Sequence, residues 1–174
     1  MPSVAERLPG FAAAAAGILG LDLLTKSVIE RRLDVHGHSI PVFGDWLHLR
    51  LVYNPGAAFG LHLGEYSRWI FLVIALSAVI LLTGLAWKGR TSDRLRLLSL
   101  GLVAGGAAGN LIDRIRSPLG VVDFLDLGMG GYRWPTFNVA DIGVTLGAIA
   151  LAVSFWLEDS RRSRINTART PSTG

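Results

Sequence analysis

The sequence contains no cysteine among its 174 residues. This absence excludes disulfides, thiol nucleophiles and thiolate metal sites, so any chemistry must use oxygen and nitrogen groups. Charged residues are also scarce, at 17%, whereas hydrophobic residues make up 51% of the chain. The mean hydropathy of +0.44 is too high for an ordinary soluble domain. The composition therefore favours a protein of the lipid bilayer.

A continuous basic stripe is missing as well, although the chain has a net charge of +4. The charges lie at the ends of apolar runs, and this placement does not suit a nucleic-acid groove. No nucleic-acid partner is expected. The chain also shows no internal repeat, which is a feature of many transporters.

Four apolar runs predict transmembrane helices, because each approaches the roughly 20 residues that cross a hydrocarbon core. They cover residues 10–29, 69–87, 95–115 and 139–157. The first run follows Arg7 and could be a signal peptide. However, Asp22 and Lys26 interrupt it and three further spans follow, so a retained helix is favoured.

The basic residues predict the orientation of these helices, because cytoplasmic flanks are enriched in Lys and Arg. With both termini cytoplasmic, that side holds nine basic residues against four acidic ones. The nine are Arg7, Lys88, Arg90, Arg94, Arg96, Arg161, Arg162, Arg164 and Arg169. Segments 30–68 and 116–138 are then extracytoplasmic, and most Trp and Tyr residues lie near the interfaces.

The first of these outer segments contains "WLHLRLVYN", in which apolar and polar residues alternate with the period of a half-buried strand. The expected fold is an all-α membrane protein with four transmembrane helices and a small extracytoplasmic β-sheet lying on the membrane surface. Residues 1–160 form a single membrane domain in this interpretation. Residues 161–174 are polar and basic, and they predict a disordered cytoplasmic tail.

Several polar residues lie within or beside the predicted spans. Asp22 and Lys26 are four residues apart on one helical face, which favours a mutually neutralising structural pair. At the outer end of the third span, Asn110, Asp113 and Arg114 also share a face. Asp113 and Arg114 could neutralise each other, or Arg114 could hold a substrate carbonyl or a polar head group.

Two aspartates are placed to meet at the outer interface. Asp123 follows the third span among apolar neighbours, and Asp141 begins the fourth span three residues after Asn138. We expect the two carboxylates to lie close together, although Asp113 or Asp126 could replace Asp123. Two carboxylates in a desolvated site do not both ionise readily, so the pair would contain a base and an acid.

That combination is the arrangement of an aspartic protease, in which one carboxylate activates water and the other donates to the oxyanion. Neither metal nor cofactor is expected, because His36, His38, His48 and His62 do not form a convincing ligand set. A Ser27–Lys26 mechanism fails because adjacent helical residues point in different directions. A proton-conducting transporter and a non-catalytic membrane scaffold remain alternatives.

Five motifs in this order resemble the lipoprotein signal peptidase family, the type II signal peptidases of bacteria. They are "DLLTK", "NPGAAFG", "GNLIDR", "GVVDF" and "FNVAD", and together they span residues 22–141. The resemblance implies a four-helix aspartic endopeptidase of the bacterial cytoplasmic membrane. Such an enzyme removes the signal peptide from prolipoproteins and cuts before the cysteine that carries a diacylglyceryl group.

The resemblance also implies roles for individual residues. Asp123 and Asp141 correspond to the catalytic pair. Asn54, Gly56, Asn110, Arg114 and Asn138 correspond to positions that bind substrate or support the site. Asp22, Lys26 and Asp113 are structural polar residues in this interpretation. The expected partners are lipid-modified prolipoprotein signal peptides and membrane lipids, and the protein is expected to be a monomer.

Overall fold

The computed structural model describes residues 4–35, 37–58, 61–62, 64–88 and 93–169. Predictions on His36, Gly60, Arg90 and residues 170–174 lie outside these residues, as do predictions on the side chains of Arg7, His62, Arg162 and Arg169.

Four helices make up most of the chain. They are α1 (Val4–Arg32), α2 (Ser67–Lys88), α3 (Arg94–Arg116) and α4 (Val139–Arg169). Each contains a segment long and apolar enough to cross a membrane: Leu8–Arg32, Ser67–Lys88, Arg94–Arg116 and Val139–Arg161. The four predicted spans are therefore confirmed, with bounds that differ by a few residues.

Helix α3 is the centre of the bundle and contacts each of the other three helices. Its glycines permit these contacts, because a side chain would collide with the neighbouring helix. A Cβ at Gly105 would lie 2.5 Å from Ile18 Cγ2 on α1, and one at Gly106 would lie 2.9 Å from Val144 Cγ2 on α4. Small residues allow membrane helices to approach each other closely in this way.

The segments between the helices contain six strands: β1 (Ile40–Phe43), β2 (Leu47–Asn54), β3 (Ala57–Ala58), β4 (Leu61–His62), β5 (Val121–Met129) and β6 (Tyr132–Arg133). Four of them form an antiparallel sheet in the order β1-β2-β5-β6, and β3 pairs with β4. A 3-10 turn at Gly64–Tyr66 leads into α2.

The predicted strand at "WLHLRLVYN" is confirmed as β2. Its Leu51 is buried in a cluster with Ile29 of α1 and with Val122 and Phe124 of β5. This cluster fixes the sheet on the end of the bundle where α1 and α3 finish. The register then pairs Val52 with Asp123, so the end of β2 lies beside the first part of β5.

The C-terminal segment differs from the expectation of a disordered tail. Helix α4 continues through residues 161–169 to Arg169. No glycine or proline interrupts the helix there, and Pro171 is the first residue that disfavours its continuation. The polar composition indicated exposure to water, which an extended helix also provides.

Candidate active site

Asp123 lies on β5, and its side chain is buried, with the residue only 3% exposed. Its Oδ2 accepts a hydrogen bond of 3.0 Å from Asn54 Nδ2, and its Oδ1 accepts one of 2.7 Å from Asn138 Nδ2. Burial, together with the nearby charge of Asp141, raises the pKa of Asp123 to about 7 against the opposing effect of the two amide donors. The carboxyl group can therefore hold a proton near neutral pH.

Asp141 and Asn138 form a reciprocal cap at the start of α4. The backbone N–H of Asp141 donates to Asn138 Oδ1 at 3.0 Å, and the backbone N–H of Asn138 donates to Asp141 Oδ2 at 3.2 Å. This is the geometry of a capping box, with an asparagine at the N-cap and an aspartate three residues later. Asn138 therefore contacts both candidate carboxylates, because its side chain also reaches Asp123.

Asn110 connects this cap to α3. Its Nδ2 donates to Asp141 Oδ1 at 2.8 Å, while its Oδ1 accepts from Asn138 Nδ2 at 3.0 Å. Gly109, the preceding residue, leaves room for the Asp22 carboxylate and for Ala140. The close packing of α3 against α1 and α4 thus brings the side chains of Asn110, Asn138 and Asp141 into one hydrogen-bonded group.

Lys26 of α1 is almost fully buried, and its Nζ donates a hydrogen bond to Asn110 Oδ1. Its Nζ is 2.7 Å from Asp22 Oδ2 and 2.8 Å from Asp113 Oδ2. The predicted Asp22–Lys26 pair is confirmed, and of the alternatives for the end of α3, mutual pairing of Asp113 and Arg114 is not observed, because Asp113 pairs with Lys26. Asp113 faces α1 and also accepts the backbone N–H of Val122 at 3.2 Å. It connects α3 to β5 in this way.

Arg114 is buried and lies near both candidate carboxylates. One of its terminal nitrogens donates to the backbone oxygen of Asn110 at 3.0 Å, and the guanidinium lies over the ring of Phe71. It interacts electrostatically with Asp141 and Asp123. Its Nε has no hydrogen-bond partner within the described part of the chain. A cation in this position balances negative charge in the site.

Asn54 and Gly56 lie at the end of β2. The backbone N–H of Gly56 donates to Asn54 Oδ1 at 3.0 Å, which turns the amide nitrogen of Asn54 toward Asp123. Gly56 has a φ of 129°, and a Cβ there would lie 2.7 Å from Ser67 Cβ. The glycine therefore permits both the backbone conformation and the close approach of α2.

Asp126 is separate from this group of side chains. Asp126, which the sequence left as a possible replacement for Asp123, lies further along β5 and is buried. Its Oδ1 is 3.3 Å from a terminal nitrogen of Arg133 on the adjacent strand β6. With Asp113 held by Lys26 and Asp126 by Arg133, Asp123 is the carboxylate that shares Asn138 with Asp141.

Sequence reasoning missed two residues that support the site. Arg68 of α2 donates from Nε to the backbone oxygen of Arg114 at 2.8 Å, which fixes the end of α3. Gly120 has a φ of 100° and packs against the backbone of Asn54, where a side chain would collide. Arg68 belongs to none of the five motifs, and although Gly120 begins "GVVDF", the motif does not show that it packs against a backbone segment distant in sequence.

The family model described as "Signal peptidase (SPase) II" matches residues 14–157 of the chain. The chain belongs to the signal peptidase II family. This finding confirms the resemblance that the five motifs indicated, and all residues of the candidate site lie within the matched range.

Individual relatives in the signal peptidase II family agree. The lipoprotein signal peptidase of Desulforapulum autotrophicum is 44% identical over 137 residues, covering 76% of this chain and 82% of that protein. The one from Moorella thermoacetica is 42% identical over 148 residues, covering 84% and 93%. A solved bacterial membrane enzyme structure, obtained by the in meso method, superposes with a TM-score of 0.77 at 29% identity. It covers 87% of this chain and 90% of that chain.

Proposed function

We propose that this protein is a membrane-embedded aspartic endopeptidase that removes signal peptides from diacylglyceryl-modified bacterial prolipoproteins and cuts before the lipidated cysteine. One observation carries the proposal. The carboxylates of Asp123 on β5 and Asp141 on α4 both accept hydrogen bonds from Asn138. Membership of the signal peptidase II family supports the same reaction.

The chemistry follows from the shared environment of the two carboxylates. One ionised carboxylate takes a proton from a water molecule, and the water oxygen bonds to the carbonyl carbon of the scissile peptide. The other carboxyl group, still protonated, donates to the carbonyl oxygen as negative charge develops there. Collapse of the tetrahedral intermediate breaks the C–N bond, and the leaving nitrogen receives a proton from the dyad.

The neighbouring side chains keep this pair in position. Asn54, Asn110 and Asn138 supply amide donors to the carboxylates, so neither can rotate away without losing a hydrogen bond. Arg114 contributes positive charge beside both carboxylates. These groups are held before substrate binds, and such preorganised donors lower the cost of charge development.

The membrane supplies the geometry of substrate access in this proposal. Both termini are cytoplasmic, and the dyad lies near the outer face of the cytoplasmic membrane. Trp46, Tyr132 and Trp134 are exposed on the sheet beside the site, as interfacial aromatic residues are. A signal peptide is an apolar helix within the bilayer, so a monomer with this placement reaches the bond at the lipid surface.

The test is cleavage of a purified diacylglyceryl-modified prolipoprotein, followed by the change in gel mobility. Asp123→Asn and Asp141→Asn should each lower kcat by at least about 1,000-fold, because general acid–base catalysis is lost. Asp93→Asn is the matched control, since Asp93 caps the start of α3 and asparagine caps equally well.

Each variant is first checked for unchanged thermal unfolding and elution volume. Loss of cleavage in both site variants, with the control at parental rates, supports the proposal. Parental cleavage by either site variant would exclude that aspartate from the dyad. A parent protein that never cleaves the lipidated substrate would contradict the proposed function itself.

A further inference from the structure

Lys26 is enclosed by oxygen atoms from two helices. Its residue is 2% exposed, and its Nζ lies 2.7 Å from Asp22, 2.8 Å from Asp113 and 3.0 Å from Asn110 Oδ1. Two carboxylates would neutralise a single ammonium without the third contact. The contact with Asn110 therefore gives Lys26 a connection to the carboxylate pair that a purely structural ion pair does not need.

The amide of Asn110 has its orientation determined by its surroundings. Its Oδ1 accepts from Lys26 Nζ and from Asn138 Nδ2, both at 3.0 Å. Neither group can accept a hydrogen bond in that arrangement, so a rotated amide would place Nδ2 against two donors. It would also place Oδ1 against the Asp141 carboxylate. The observed orientation is the one that directs Nδ2 to Asp141.

We propose that Lys26 is a positioning residue that orients the Asn110 amide toward Asp141, and that this makes Asp141 the ionised base and Asp123 the protonated acid of the resting site. The inference rests on the proposed peptidase function. It adds the division of roles between the two aspartates and the residue that sets it.

The environments of the two carboxylates support this division. Asp141 is half-buried and receives N–H groups from Asn110 Nδ2 and from the Asn138 backbone. It also occupies the first turn of α4, where the helix dipole favours negative charge. Asp123 is buried on a strand, and burial raises its pKa to about 7.

The roles give a balanced reaction. Asp141 takes a proton from water, the hydroxide oxygen bonds to the carbonyl carbon, and Asp123 transfers its proton to the carbonyl oxygen. The resulting gem-diol collapses as Asp141 gives its proton to the leaving nitrogen. The C–N bond breaks, and one diol hydroxyl returns a proton to Asp123. Both carboxyl groups then have their starting protonation states.

The experiment separates positioning from charge balance. Lys26→Met removes the ammonium but leaves the buried carboxylates of Asp22 and Asp113 without a compensating cation, so it could unfold the protein for that reason alone. The triple variant Lys26→Met, Asp22→Asn, Asp113→Asn removes the cation and both anions together. Asparagine oxygens can still accept the backbone N–H groups of Ala140 and Val122 that Asp22 and Asp113 bind.

The full-length triple variant is assayed on a diacylglyceryl-modified prolipoprotein across pH, beside the parent. Lys88→Met is the matched control, because Lys88 is exposed at the far end of α2. Loss of an oriented donor to a charged carboxylate should lower kcat by about 10- to 100-fold. The pH–kcat profile should also differ from the parental profile, because Asn110 no longer donates to the dyad in a fixed orientation. KM should stay near the parental value.

A folded triple variant with parental kcat and pH profile would overturn the inference, as would a change confined to KM. Either result would leave Lys26 as a structural ion-pair partner. The peptidase proposal is tested separately by Asp123→Asn and Asp141→Asn. If those variants cleave normally, the proposed function fails whatever the triple variant does.

Discussion

The two ends of the helix bundle each contain a hydrogen-bonded aspartate, and the pKa values of the two carboxyl groups are shifted in opposite directions. At the basic end, defined by Lys88, Arg94, Arg96 and Arg161, Asp93 accepts from Leu95 N at 3.0 Å and from Ser154 Oγ at 2.6 Å. The hydrogen bond from Ser154 is the main cause that lowers the pKa of this exposed aspartate. At the site end, burial raises the pKa of Asp123 despite its two amide donors.

Hydrogen bonds alone therefore do not determine the protonation state of these two carboxyl groups. Desolvation disfavours the charged form and outweighs two neutral donors at Asp123, and the charge of Asp141 acts in the same direction. Asp93 remains exposed, so its donors dominate. Asp123 at the site end therefore retains its proton to a higher pH than Asp93 at the basic end.

The cations show the same contrast. At the basic end Arg96 pairs with Glu158 and lies over Phe155, and its side chain remains partly exposed. At the site end Lys26 is enclosed by three oxygen atoms. Breaking an exposed pair costs little, whereas removing one member of a buried pair leaves an unpaired charge.

Apart from the two aspartates themselves, the largest effect is expected from Asn138→Ala. This change removes the donor to Asp123 and the acceptor of the Asp141 N–H in one step, so kcat should fall by about 100-fold or more. The cleavage assay on a lipidated prolipoprotein measures it. Ser154→Ala removes a part-buried hydrogen bond at the basic end and should leave kcat unchanged. Equal losses of kcat in both variants would contradict the expected difference between the two ends of the bundle.

A smaller loss is expected from Gly56→Ala. The new Cβ would collide with Ser67 and move the backbone N–H that orients Asn54, so kcat/KM should fall by about 10-fold. Gly64→Ala is the matched control, because Gly64 also has a positive φ but has open space around its Cβ position. If both substitutions reduce kcat/KM equally, backbone strain alone explains the effect.

Stability should depend on pH with opposite signs at the two aspartates. The raised pKa of Asp123 means that the folded state binds more protons than the unfolded state between about pH 4 and pH 7, so stability falls as pH rises through that range. The lowered pKa of Asp93 contributes stability that is present above about pH 4 and lost below it.

Thermal unfolding of the parent and of Asp123→Asn across this range separates the two contributions. The parent Tm should decrease from pH 5 to pH 8, and Asp123→Asn should decrease less. An unchanged slope in Asp123→Asn would show that burial does not determine the protonation of this carboxyl group.

The smallest effect is expected from Asp93→Asn. The N-cap of α3 is retained, and only the charge of an exposed carboxylate is lost. The free energy of unfolding should therefore change by about 1 kcal/mol or less. Chemical or thermal denaturation in detergent measures this change. A destabilisation as large as that of Asp22→Asn would show that the basic end is as sensitive as the site end.

Local periodicity was enough to predict much of this structure. The four spans follow from apolar runs, β2 follows from alternation, and the Asp22–Lys26 contact follows from an i, i+4 spacing on one helix. Each of these features depends on residues that are neighbours in sequence.

The remaining features depend on contacts between distant segments. Strand β5 was missed because its buried acids interrupt the apolar pattern, and its register with β2 is set by packing on Ile29. The contact between Asp113 and Lys26 was not predicted, because the two residues lie on different helices. The burial of Asp126 beside Arg133 was missed for the same reason. No local spacing carries this information.

The most direct test of the account is an infrared titration of the protonated carboxyl band in the full-length protein, comparing the parent with Asp123→Asn. We expect a protonated carboxyl band in the parent that disappears as pH rises through about 7 and that is absent from Asp123→Asn. It should persist in Asp93→Asn, because that carboxyl group is already ionised. A parent with no protonated carboxyl band at pH 6 would contradict the claim that Asp123 holds the proton of the pair.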